Sequence, residues 1–438
     1  MRQKAANLKN NIMKLFLVSC LWITSGTSGQ NIVKDDIINF WNAYDKIVTT
    51  QDSVMQYRYL RELYIDKATP GLQSLIRVRN YSDKEFVDAI RKYPKFWASI
   101  RPKTLDTDEP SREISSDIAL LKKLYPAMKP AVIYYAIGAF RTNGTSEGDR
   151  ILLGAELALA DNSTVIEELP AWRQTFYKDY NPRQNIGLLC THEYIHTQQK
   201  ELIHNLLSKC LYEGVAEFVA CTATGKKSNS PAIAFGKANE QAIEEQFVKD
   251  LYLMSNDYNW LWGENRNSFG VRDLGYYVGY EICERYYNLS DDKSKAIQEL
   301  IELDFTDEAE VERIVNKTQF LPKTLSALYD DYEKERPVIV SVQPFANGSK
   351  KVRPGTTAIT VTFSEPLNGY HTSIDYGPLG DAAFPVIKAE RMWSADKKTW
   401  TFTADLQPNR RYQILISNNF QKENGVRLKP YLIDFTTE

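Results

Sequence analysis

The chain is 438 residues long, 43% hydrophobic and 25% charged, which excludes disordered and collagen-like classes and leaves room for more than one domain. A formal net charge of -2 gives no reason to expect nucleic acid or an acidic membrane surface as a partner. Aromatic residues reach 12%, with 26 tyrosines, so half-wet clefts and interfaces are well supplied.

Residues 1–29 read as a secretory signal peptide. Basic Arg2, Lys4 and Lys9 precede "MKLFLVSCLWITSGTSGQ" (13–30), which has a lysine start, an apolar stretch and small polar residues at its end. Cleavage near Gly29 would leave Gln30 first. Cys20 lies in "LVSC", which matches the bacterial lipoprotein box in letters. Only about five apolar residues precede it, against the ~7–15 of an ordinary signal core, so lipid anchoring at Cys20 is the alternative. The mature protein is therefore expected to be exported: periplasmic, cell-surface or secreted. Beyond the leader stand Cys190, Cys210, Cys221 and Cys283, too few for a disulfide framework although one bridge would fit. They form no CxxC pair, which argues against a thiolate zinc knuckle.

From 31 to about 130 the spacing predicts helices. "DDIINFWNAYDKIV" sets Ile37, Phe40, Trp41 and Tyr44 on one face, and Ser82 with Glu85 has capping-box spacing. Pro70-Gly71 breaks the run between them. "AVIYYAIGAF" (131–140) and "RILLGAELALA" (150–160) read as strands joined by the turn-rich loop "RTNGTSEGD". The second of these would be an edge strand beside a cleft. Helices return through "LLCTHEYIHTQQKE", "CLYEGVAEFVACTA" and "DLGYYVGYEICERYYN" to about residue 335. After "ERPVIVSVQPF" alternation takes over: Ile359, Val361 and Phe363, then Trp400, Phe402 and Ala404, then Tyr412, Ile414 and Ile416, then Tyr431, Ile433 and Phe435. The fold expected is α+β: a mostly helical domain with a small β-sheet over 30–336, then an all-β sandwich over 337–438.

Two of the four histidines, His192 and His196, are one helical turn apart and can bind one metal from one helix face. Glu193 sits one step round, where a carboxylate can serve as general base without being a ligand. Zinc needs a third protein ligand. A metzincin would require Gly at 199 and His at 202, and these positions hold Gln199 and Leu202. His204 lies too far along to share the site and reads as a surface or packing residue. A carboxylate from the following helix remains, and "LYEGVAEFVA" offers Glu213 and, one turn later, Glu217. The surrounding residues are apolar, so these carboxylates are expected to be buried and to need partners.

Glu-Gly-x-Ala-Glu resembles the third-ligand helix of gluzincin metallopeptidases. The match implies that Glu213 binds Zn²⁺, with Glu217 the substitute, that Gly214 lets the two zinc-site helices approach closely, and that Glu217 holds a ligand histidine from behind. Tyr276, three residues before Gly279, has the Tyr-x-x-Gly spacing of the catalytic tyrosine in aminopeptidase-type gluzincins. Tyr277 and Tyr280 compete for that oxyanion role, and Arg272 could assist. Together "TPGLQSLIRVRNYSDKEF", "GAELALAD", "THEYIHTQQ", "LYEGVAEF" and "GYYVGYEI" resemble a family of predicted bacterial zinc-dependent proteases related to gliding-motility lipoproteins, over about residues 40–335. "ITVTFSEPLN" and the Leu-x-Pro before Tyr412 resemble bacterial Ig-like domains with a tyrosine corner. These resemblances imply a zinc metallopeptidase acting on a peptide or protein substrate, carrying a module for a cell-surface, carbohydrate or protein partner. The alternatives are a catalytically idle surface or assembly protein and a zinc hydrolase of non-peptide amides.

Overall fold

Apolar residues at helical spacing build the first layer. α1 (Asp35–Ile47), α2 (Ser53–Leu63), α3 (Pro70–Arg79), α4 (Asp83–Lys92), α5 (Pro94–Leu105) and α6 (Asp108–Leu124) follow one another closely. Ile37, Phe40 and Trp41 of α1 are buried as their spacing predicts. The capping box forms at α4: Glu85 N–H donates to Ser82 Oγ, and Ser82 N–H donates to Glu85 Oε2 at 2.8 Å. Pro70 does more than break the chain. It is the first residue of α3, where its missing N–H costs nothing, and Thr69 caps the helix. The computed structural model describes residues 31–438 except 180, 254–256 and 263–266, so the leader read at 1–29 and Cys20 lie outside the described residues.

A four-stranded mixed sheet packs beside these helices: β1 (Ile32–Val33), β2 (Val132–Ala136), β3 (Gly144–Glu147) and β4 (Arg150–Gly154), in the order β1-β2-β4-β3. β2 is parallel to β1 and β4, and β3 runs antiparallel to β4. Two expectations change here. The strand read over 150–160 stops at Gly154 and becomes the short helix α7 (Ala155–Ala158), as the helix formers Ala, Glu and Leu favour. Glu156 is fully buried in α7 and accepts the N–H groups of Gly138 and Phe140 at 2.8 and 3.1 Å. β4 is also interior to the sheet. The edge strand on that side is β3, formed from the polar segment read as a loop.

The chain continues through α8 (Ala171–Asp179), α9 (Ile186–His196), α10 (Leu206–Thr224), α11 (Pro231–Ala238), α12 (Glu240–Asp250), α13 (Asp257–Trp260), α14 (Leu274–Asn288), α15 (Lys293–Ile301), α16 (Glu308–Thr318) and α17 (Leu325–Glu335). α10 and α14 cross with almost no side chain between them. A Cβ added to Gly279 would lie 2.6 Å from the Cys210 carbonyl carbon and 2.9 Å from Gly214 Cα. Gly214 therefore admits α14, not α9 as expected, because it faces away from the histidine helix. The four cysteines are buried and free, so the bridge that export would allow is not formed.

From Ile339 onward two antiparallel sheets make a sandwich. One is β5-β6-β9-β8, from β5 (Ile339–Gln343), β6 (Gly355–Phe363), β8 (Val386–Trp393) and β9 (Thr399–Leu406). The other is β11-β10-β7, from β7 (Ile374–Tyr376), β10 (Arg411–Ile416) and β11 (Tyr431–Thr436). Ile359, Val361, Phe363, Trp400, Phe402, Ile414 and Phe435 fill a core separate from that of the helical part. Tyr412 Oη accepts the Gln407 N–H at 2.8 Å, the tyrosine-corner bond its Leu-x-Pro context predicts. At the junction Arg336 donates to the carbonyls of Arg427 and Leu428 at 3.1 and 2.7 Å, and Lys429 faces Glu333 at 3.5 Å.

Candidate metal centre

α9 is placed from both ends. Lys226, just beyond α10, pairs with Glu113 and Asp117 of α6 at 2.6 Å each, and Asp117 packs over Gly187 at the start of α9. Tyr194, on the opposite face from the histidines, accepts the Ala131 N–H at 2.9 Å and donates to the Lys129 carbonyl at 3.1 Å. The histidines therefore turn towards α10. Their rings cross at 84°, and the two Nε2 atoms are 3.1 Å apart. α10, capped by Asn205, brings Glu213 Oε2 to 3.4 Å from both Nε2 atoms. The three ligand atoms lie within 4.8 Å of one another.

Hydrogen bonds fix which nitrogens are free. His192 Nδ1 meets Glu217 Oε2 at 3.0 Å, and His196 Nδ1 meets Gln199 Oε1 at 2.7 Å. The Gln199 amide orientation follows from its NH₂, which donates to the Tyr212 carbonyl at 2.9 Å. Both partners are acceptors, so each Nδ1 carries a proton and each Nε2 is the nitrogen turned towards Glu213. Two imidazole Nε2 atoms and one carboxylate converging at this spacing fit a zinc donor set, with both imidazoles braced from behind. Burial alone would raise the Glu213 pKa, but His196 and His192 outweigh it and hold the carboxyl well below its usual range. Glu217 is likewise lowered against burial, by His192 and by the Ser228 hydroxyl that donates to its other oxygen.

Glu193 behaves differently. Burial pushes its pKa up, with His196 and His192 opposing only in part. Among the described residues its carboxylate accepts no hydrogen bond, whereas Glu213 and Glu217 are both engaged. β3 runs over it at a bare position: a Cβ at Gly144 would lie 3.1 Å from Glu193 Cγ. Tyr276 stacks on His192 with centroids 6.1 Å apart at 21°. Burial, then the Glu213 charge, hold its pKa well above the usual tyrosine value. Tyr277 instead bonds Glu240 at 3.0 Å, and Tyr280 packs edge-on to Phe218. Arg272 stands exposed beside Asp273, and His204 is exposed outside the cluster. A separate polar cavity of about 560 Å³, lined by Glu109, Glu113, Asp161 and Arg183, includes none of the donor set.

Sequence reasoning missed Gln199, Ser228, β3 and Tyr212, whose ring lies parallel to His196 at 4.4 Å. Gln199 alone left a signal, since it stands three residues past His196 where helical spacing can return a side chain.

The comparisons with known proteins agree with this geometry. Residues 174–307, which contain both histidines, Glu193, Glu213, Glu217 and Tyr276, match the family described as "Predicted Zn-dependent protease". Residues 333–437 match "Bacterial Ig-like domain". No curated protein matches the chain. Among solved structures, the S-layer protein rSbsC(31-844) aligns with 92% of this chain at 11% identity, with a TM-score of 0.18. This chain covers 45% of that protein's length, and a superposition so loose carries no argument about fold.

Proposed function

We propose that this chain is an exported zinc metallopeptidase of the gluzincin type, hydrolysing peptide bonds. The observation that carries the reading is the pairing of a converged His192–His196–Glu213 donor set with a buried, unengaged Glu193 beside it. A purely structural zinc site has no use for that free carboxylate. Zinc held by the three residues would supply Lewis acidity to a water and to the scissile carbonyl. Glu193 takes the proton of the attacking water, which its raised pKa suits, and passes it to the leaving amine. Tyr276, kept protonated at neutral pH, donates its O–H to the oxyanion that develops on the carbonyl oxygen. Glu217 and Gln199 hold the imidazoles in register throughout. β3, the sheet edge above Glu193, offers backbone groups to an extended peptide by strand addition, and Gly144 keeps that approach clear. The sandwich would hold a surface or protein partner near the site.

The test is metal analysis of wild type and Glu193→Gln, followed by peptide-library cleavage. Zinc in both, with cleavage by wild type alone, supports the reading. Zinc in both with cleavage by neither defeats it.

A further inference from the structure

The arginines around β3 are paired, with one exception. Arg77 takes both oxygens of Glu147, Arg150 faces the same carboxylate at 3.8 Å, and Arg141 takes Glu85. Arg79, the last residue of α3, has no ion pair among the described residues. Its Nη2 donates instead to the Thr142 hydroxyl at 3.2 Å and reaches the Gly144 carbonyl at 3.5 Å. Its Nε is buried and has no acceptor. A guanidinium kept only to brace a loop is expected to fill its buried donors, because one left empty costs about 1–3 kcal/mol.

The strand shows where that guanidinium stands. The Gly154 N–H donates to the Asn143 carbonyl at 2.9 Å, so residue 143 faces β4 and Gly144, next along, turns its carbonyl the other way. β3 ends its sheet on that side, so the Gly144 carbonyl lies on the open edge. Arg79 is therefore on the edge where a peptide would be added, at the residue that overlies Glu193. A Cβ at Gly144 would lie 3.3 Å from Glu193 Oε1. The Thr142 hydroxyl donates to the same carbonyl, which leaves that group fully used. An added chain would pair with Ser146, the next residue facing outward, and meet the guanidinium where the edge closes. Arg77, Arg141 and Arg150 share only Glu147 and Glu85, so with Arg79 this rim is positive.

We infer that Arg79 forms a carboxylate-binding subsite at the end of the β3 edge, selecting substrates that carry a carboxylate next to the scissile bond. The inference rests on the peptidase reading for its substrate class. A planar guanidinium with unused N–H groups holds a carboxylate through parallel, charge-assisted bonds that a lone ammonium cannot copy. That carboxylate is the side chain of an Asp or Glu, or the C-terminus of the chain being cut. Both present the same two oxygens.

Two arms test it, both on the zinc-loaded full chain. In the first, peptides with Glu beside the scissile bond are compared with their Gln counterparts, and peptides ending there in a free C-terminus with amidated ones. Wild type should prefer a carboxylate form by about 10–100-fold in kcat/KM, the worth of a charge-assisted pair. The peptide pair that shows the preference names the source of the carboxylate. Arg79→Gln should erase the preference, Arg79→Lys should keep part of it, and Arg79→Glu should turn it towards peptides with Lys at that position. A residue that only braces the loop would lower all peptides alike, so an unchanged ratio in Arg79→Gln overturns the inference, as does cleavage without preference by wild type. The second arm measures binding of the same peptides to Glu193→Gln, with and without Arg79→Gln, by calorimetry. Tighter binding of a carboxylate form that disappears with Arg79 supports the inference even where wild type cleaves nothing. Equal binding, or none, overturns it.

Discussion

Gly279→Ala probes how the metal centre depends on a helix crossing that touches neither metal nor substrate. The new Cβ would stand 2.6 Å from the Cys210 carbonyl carbon and closer still to its oxygen, against at least 3.4 Å in ordinary contact, a shortfall of at least about 0.8 Å. Both sides of the contact are backbone, so no rotamer can absorb it and α14 must move off α10. Overpacking of this kind costs about 1–3 kcal/mol. For a domain of about 300 residues each kcal/mol lowers Tm by about 1.5–2 °C. Tyr276 lies one turn before Gly279 and moves with α14, away from Glu213 and His192. A displacement near 1 Å costs about 10²-fold when it misplaces a reacting group, so kcat should fall by roughly that factor. Zinc affinity should stay close to wild type, because His192, His196 and Glu213 lie on α9 and α10. Thermal unfolding, chelator-competition zinc titration and peptide turnover read the three quantities separately. A variant with wild-type Tm and turnover would refute the reasoning, and so would a loss of zinc affinity as large as the loss of turnover.

Glu193→Gln should bind zinc as wild type does while cleavage falls about 10²–10⁴-fold, measured by metal analysis and peptide turnover on the same preparation. Glu217→Ala should weaken zinc about 10–100-fold in a chelator competition, because it removes the acceptor on His192 Nδ1. Glu217→Gln should lose less: its amide oxygen can take the imidazole proton while its NH₂ turns to the Ser228 hydroxyl. Tyr412→Phe should destabilise the sandwich by about 1 kcal/mol in denaturant unfolding, by stranding the Gln407 N–H, and leave zinc binding unchanged. Arg411 holds the Asp434 carboxyl down at about 2, below its usual 3.8. Its contribution to stability is therefore present above the unfolded value and lost as pH falls through about 2, and Asp434→Asn should flatten the acid limb of the sandwich's unfolding profile.

The parts legible in the sequence were those written in local spacing. His192 and His196 share a helix face because they are four apart, and the Ser82–Glu85 box and the Tyr412 corner need only their own few residues. Glu213 required a motif as well, since spacing left it level with Glu217. In the fold Glu213 sits between the two Nε2 atoms and Glu217 behind one of them. What escaped was assembled from distant segments. Gly144–Glu147 is short and polar, as sheet edges tend to be, and so carries the composition of a turn. The buried Glu156 converts an apolar run into strand plus helix by taking two N–H groups 16 and 18 residues upstream. Gly214 was read as a close-approach residue correctly, but its partner was named wrongly, because a glycine advertises that something comes near and not what.

The Arg336 clamp has a mechanical consequence. Its guanidinium grips two carbonyls of the 421–428 hairpin, and Gly425 of that hairpin rests on Leu253 of the helical part, 3.6 Å from where a Cβ would stand. The sandwich is thus fastened to its neighbour by more than the linker. A loose linker would let a captured chain drift past the cleft at a concentration set by linker length. A bolted one makes the span from grip to cleft a constant of the molecule, like the gap between a vice and a blade. Under the proposed function, only the stretch of a captured chain lying at that span would be presented, so inserting residues at 336–337 would shift where a bound partner is cut before it altered how firmly it is held.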